Sequence, residues 1–206
     1  MIGALFFTIA AAAQLQQETI TYSMKMDNSP VAAMLGDMQL TLYYKNGKSL
    51  TDITSSMYSM KALVTDTGTL TLMNTMGQKF YFQTASPSLS DSGAKAPKIK
   101  YTSETKQIAG YTCTKALIFI QANDAMDTAI FWYTEKLPVV AFGKEAALFK
   151  DLKGMPLEYE IKAPQMTMTV TAQKVSLGSI PDSTFVLSTD GYTKMDMGDM
   201  MKQFQQ

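Results

Sequence analysis

Apolar and polar residues alternate at period two through most of the chain, a pattern that predicts strands with one wet face. Over residues 18–26, Ile20, Tyr22, Met24 and Met26 alternate with Thr19, Thr21, Ser23 and Lys25. Over 37–45, Met38, Leu40, Leu42 and Tyr44 share the apolar side. Asn46-Gly47 follows, the strongest hairpin-turn signal in the chain, and leads into a strand over 48–54. Strands over 58–65, 69–74 and 79–84 come next, separated by Asp66-Thr67-Gly68 and Met76-Gly77. Short strands joined by tight turns read as an antiparallel meander.

Residues 85–97 are rich in Ser, Pro, Gly and Ala and read as a loop. A strand over 99–105 resumes the pattern. The stretch 108–138 then predicts two long strands, rich in Ile, Phe, Tyr and Thr, joined by a polar link over 121–127. It holds the single Trp (Trp132) and the single Cys (Cys113). Two more strands are expected over 157–162 and 165–176. In the second, Met166, Met168, Val170 and Ala172 stand opposite Thr167, Thr169, Thr171 and Gln173.

Three segments carry helical signals instead. Over 29–36, Ser29 is placed as N-cap, Pro30 in the first turn and Gly36 just past the end. Over 142–152, Ala147, Leu148 and Leu152 share one side, and Gly154 is positioned to end the helix. Over 193–203, Met197, Met200, Met201 and Phe204 follow the spacing i, i+3, i+4, i+7, with Gly198 as a weak point. The chain is therefore expected to be mainly β, with about ten strands and few helices, in one domain over 14–206.

Composition narrows the function. Only 17% of the 206 residues are charged, net charge is +0, every basic residue is Lys, and His is absent. Arg is the preferred fork for phosphates and the commonest reader of base edges, so a neutral, Arg-free chain argues against nucleic-acid binding. Without His there is no Ser-His-Asp or Cys-His catalysis and no ordinary zinc site. Cys113, between Thr112 and Thr114 on a strand, reads as a small buried apolar residue rather than a nucleophile. Glu158 and Glu160 share a strand face with Lys162, which reads as a solvated face rather than an acid–base pair. Asp196 and Asp199 lack the loop spacing of a calcium site. The reading is a protein that is not an enzyme and needs no cofactor or metal.

Methionine is the outlier, with 17 residues. Pairs such as Met24/Met26, Met166/Met168 and Met195/Met197 offer soft thioethers that suit Cu(I), but no His or Cys stands beside them. An ordinary core or an adaptable apolar surface is the preferred reading. At the N-terminus, the short apolar run 1–10, the small residues Ala11-Ala12-Ala13 and the polar residues after them resemble a cleaved export signal over 1–13, although no Lys or Arg precedes the run. That run is too short to span a bilayer, and no later segment is apolar enough to do so.

The segments Lys106-Gln-Ile-Ala-Gly-Tyr-Thr-Cys-Thr-Lys115 and Phe131-Trp-Tyr-Thr-Glu135, followed by Leu137-Pro138 and later Gly191-Tyr192, resemble a family of uncharacterised secreted domains from Gram-negative bacteria. That family is similar to the LolA/LppX group of periplasmic lipoprotein carriers and lipid-binding lipoproteins. The resemblance implies a LolA-like, curved antiparallel half-open barrel whose concave face is covered by helices, here those at 144–152 and 194–204. It also implies a periplasmic or secreted protein holding a lipid or lipoprotein acyl chain in an apolar hollow. The carriers use a cavity Arg to hold the lid; its absence here puts lipoprotein transfer in doubt. The expected lining is Tyr22, Met24, Met26, Leu40, Leu42, Trp132, Met166 and Met168. The competing reading is a structural or interaction domain of the cell envelope with a filled interior.

Overall fold

The computed structural model describes residues 17–27, 32, 36–85, 97–122, 125–140, 151–163 and 166–196. Among these residues twelve strands form one sheet: β1 (Gln17–Met26), β2 (Met38–Lys45), β3 (Lys48–Thr54), β4 (Tyr58–Thr65), β5 (Gly68–Thr75), β6 (Gln78–Ala85), β7 (Lys98–Ile108), β8 (Tyr111–Ala122), β9 (Ala125–Thr134), β10 (Met155–Ala163), β11 (Met166–Leu177) and β12 (Thr193–Lys194). Their order is β12-β6-β5-β4-β3-β2-β1-β11-β10-β9-β8-β7. Two antiparallel meanders, β1 to β6 and β7 to β11, are thus joined where β1 pairs with β11. The sheet is open, with β7 at one edge and the short β12, parallel to β6, at the other.

Turn chemistry explains the meanders. Asn46 and Gly47 both have positive φ (50° and 79°), the requirement of the two-residue turn whose twist matches paired strands. Met76-Gly77 (50° and 82°) and Ala109-Gly110 (48° and 84°) repeat it. The third pair corrects one expectation. Ile-Ala-Gly-Tyr is not strand interior: Ala109-Gly110 turns β7 into β8, and β7 runs on to Ile108. The expected link over 121–127 is also much shorter, because β8 continues to Ala122 and β9 begins at Ala125. Short polar residues permit a turn but do not forbid strand pairing when both neighbours extend the ladder.

Of the expected helices, most residues lie outside the described ones. Gly36 donates its N–H to the Ala32 carbonyl at 3.0 Å and has φ +64°, as a residue closing a helical turn does. For the 142–152 helix, residues 142–150 lie outside the description, and Leu152 is buried in the core. The C-terminal helix is corrected at its start: Thr193 and Lys194 pair with Phe80 and Tyr81 as β12, and residues 197–206 lie outside the description. Gly154, placed after the 142–152 segment, stands against the end of β9. A Cβ there would stand 2.1 Å from the Thr134 carbonyl oxygen, so only glycine allows this close approach to the end of β9.

One large apolar cluster covers a face of β1, β2 and β8 to β11, with Leu137, Val140 and Leu152 packed onto it. A second, smaller cluster lies on the other face. There Leu50 and Leu63 are covered by Ile180 and Phe185, from the segment that leaves β11 and crosses toward β6. The 3-10 turn Asp182–Phe185 belongs to that strap.

Candidate ligand-binding face

Directly paired residues on neighbouring strands point to the same side of a sheet. Register therefore traces one apolar row: Ala172, Tyr22, Leu40, Ile53, Met60, Met73 and Phe80, on β11, β1, β2, β3, β4, β5 and β6. A parallel row runs Ile20, Leu42, Thr51, Ala62, Thr71 and Phe82. Exposure changes along both. Tyr22, Ile20 and Leu42 are fully buried, and Leu40 is 4% exposed. Ile53, Met60, Met73, Phe80 and Phe82 are only half-buried. The face is filled at its centre and accessible toward β6.

The filled part is held by aromatic contacts. Tyr22 meets Tyr159 edge-on at 6.5 Å, Tyr159 stacks on Phe131 at 5.5 Å, and Tyr101 meets Tyr133 at 5.4 Å. The Tyr22 hydroxyl donates to the Pro156 carbonyl at 3.1 Å, which satisfies the one polar atom of a fully buried ring. Burial first, then the neighbouring Tyr159, pushes that hydroxyl's pKa far up, so it stays protonated.

Four of the eight expected lining residues, Tyr22, Met24, Leu40 and Leu42, are buried on this face and form its floor. Met26 and Met168 stand opposite each other on the same face, half-buried. The backbone of Met166 pairs with Ala163; its side chain lies outside the description. Trp132 belongs to the opposite face. Its neighbours Phe131 and Tyr133 point into the core, so period two sends Trp132 outward.

On that outer face, Trp132 pairs with Lys115 and Glu158. The Lys106 ammonium sits 4.4 Å from the ring centroid and Lys115 at 5.8 Å. Lys106 also donates to Glu158 at 2.5 Å, while Thr171 donates to the other carboxylate oxygen at 3.4 Å. Glu158 thus sits in an ion pair with Lys106 beside the Trp132 ring. Cys113 is fully buried, and burial raises its thiol to about 11, which leaves little thiolate for chemistry at neutral pH.

One residue escaped the sequence reading. Glu18 is 2% exposed, and its Oε1 has no hydrogen-bond partner among the described residues. Desolvation raises its carboxyl to about 7. The signal was available: Glu18 precedes Ile20, Tyr22 and Met24 in the same period-two series, hence on the same face. Among the described residues, no group of three or more His, Cys, Asp or Glu is placed to hold a metal. No helix among them is long and apolar enough to cross a membrane.

Residues 40–190 match the family described as N-glycanase peptide, N-terminal domain. The chain belongs to this family. Similar solved structures include PNGF-II in two crystal forms. One is 15% identical with a TM-score of 0.45, the other 17% identical with 0.44, and each alignment covers 93% of this chain. The chain spans about a third of the PNGF-II chains, 34% and 33%. The lipoprotein LppX of Mycobacterium tuberculosis is also similar, 10% identical over 78% of this chain and 86% of that one, with a TM-score of 0.39. A β-barrel-like protein of unknown function from Brucella abortus is 7% identical over 80% of this chain and 99% of that one, at 0.25. No curated protein matches the chain.

Proposed function

We propose that this member of the N-glycanase peptide N-terminal domain family is an exported, non-enzymatic binding module that holds an apolar chain, such as a lipid acyl group, against β3 to β6. The observation that carries the reading is the half-buried row Ile53, Met60, Met73 and Phe80, continuous with the buried floor at Tyr22 and Leu40. Methionine suits such a surface, because its unbranched thioether adapts to a flexible guest. Affinity would come from apolar burial, at about 25 cal/mol per Å². The buried thiol, the ion-paired Glu158 and the absence of His support a non-catalytic role. Export rests on the apolar run over 1–10 with its small residues after it.

Native mass spectrometry after gentle purification tests the reading directly: the expected result is protein carrying a lipid-sized adduct. Met73→Glu, a change at a half-exposed position, is expected to remove the adduct and leave the unfolding midpoint nearly unchanged. Repeated purification without any adduct would instead favour the second reading, an interaction domain with no ligand. That alternative is supported by the zero exposure of Tyr22, Ile20, Leu42 and Val170, which fill the centre of the face.

A further inference from the structure

We propose that Met24, Met26, Met38 and Met168 form a thioether site for a soft monovalent metal ion, Cu(I) in particular, at one end of the sheet. Sequence spacing alone shows only separate Met-x-Met pairs. Register brings them together. Met26 stands directly opposite Met168 across the β1–β11 ladder, and Met24 stands directly opposite Met38 across β1–β2. Met24 and Met26 are two residues apart on one strand and therefore share a face. Directly paired residues have Cβ atoms about 5 Å apart and diagonal ones about 7–8 Å, within reach of a side chain with three rotatable bonds. Three sulfurs, from Met24, Met26 and Met168, can thus meet at one point, with Met38 beside Met24 as a fourth.

The surroundings suit that ion. Met24 is 6% exposed, while Met26, Met38 and Met168 are half-buried, so the cluster has a dry floor and an accessible rim. Val170 and Leu40 pair with Met24 and Tyr22 on the inner side of the cluster. The intervening Lys25 is exposed and, by strand alternation, points to the opposite face. Neutral thioethers in an apolar setting favour a soft, singly charged ion over hard divalent ones, which demand oxygen ligands and retain water. Cys113 is on β8, between β7 and β9, not on β1, β2 or β11, which carry the four methionines.

The test is an anaerobic titration of the full chain with Cu(I) held by a chromophoric chelator, with Ag(I) as a redox-inert second probe. The chain is expected to withdraw about one equivalent of metal. Met26→Leu with Met168→Leu, which conserves volume, is expected to weaken retention at least about tenfold, the scale on which even residues supporting a metal site matter. Met60→Leu with Met73→Leu is expected to leave metal retention unchanged, which keeps this site separate from the apolar-chain surface. Failure to withdraw either ion, equal retention by the Met26/Met168 variant, or loss of retention on Cys113→Ser would each overturn the assignment.

Discussion

Glu18 stands on the apolar face of β1, paired with Tyr44 and Leu177, and its Oε1 has no hydrogen-bond partner among the described residues. Its folded-state pKa of about 7 lies above the ordinary 4.5. The folded protein thus holds this proton more tightly than the unfolded chain. The resulting stability is fully present below about pH 4.5 and is lost as pH rises toward and through 7. Urea unfolding is expected to show lower stability at pH 8 than at pH 5.5, by on the order of 1–3 kcal/mol from this residue. Glu18→Gln should remove that slope; a wild-type profile that is flat between these pH values would refute the account. At Tyr22, removing the hydroxyl by Tyr22→Phe frees the Pro156 carbonyl and should cost about 1 kcal/mol. Chemical denaturation of the variant checks that value. Neither residue announced its role by type: Glu18 is polar by composition and buried only by its place in the alternation.

Strands and turns divide differently between local and distant causes. Period two and the Asn46-Gly47 and Met76-Gly77 turns placed β1 to β6 almost to the residue, because hairpin pairing is local. The Ala109-Gly110 turn was missed, since an alanine at positive φ is unusual and carries no side-chain signal. Gly154 carries a constraint that no local pattern shows: it comes from the Thr134 backbone, twenty residues earlier. Gly154→Ala should therefore destabilise by about 2–3 kcal/mol, as overpacking against backbone does, and thermal unfolding will show it. The strap after β11 is another non-local element. Ile180 and Phe185 cover Leu50 and Leu63, while Lys45 donates to the Ile180 carbonyl at 2.6 Å and meets Asp182 at 2.7 Å. Phe185→Ala is expected to cost about 2–3 kcal/mol. Amide hydrogen exchange should accelerate at Tyr192 and Met195, whose N–H groups bond within and beyond the strap, before it does so in β1.

For the whole molecule, the two edges and the central seam matter most. The edge strand β7 carries Lys98, Lys100 and Lys106 and a register irregularity between Tyr101 and Thr105, features that discourage pairing with another chain. Nearly all pairings in the seam between β1 and β11 join residues about 150 positions apart, so folding should be slow, in milliseconds to seconds. Stopped-flow refolding followed by Trp132 fluorescence would check this. The amino-acid sequence by itself determined that the chain is mainly β, which positions share a strand face, and that His- and Arg-based chemistry is absent. Those properties depend on side-chain type and on a period of two, both readable without partners. Only the tertiary structure decided that β1 joins two meanders, that Trp132 faces away from Tyr22, and that Met24, Met26, Met38 and Met168 stand on neighbouring positions of three paired strands. Strand order and register depend on which distant strands bury one another's faces, and no local pattern encodes that choice.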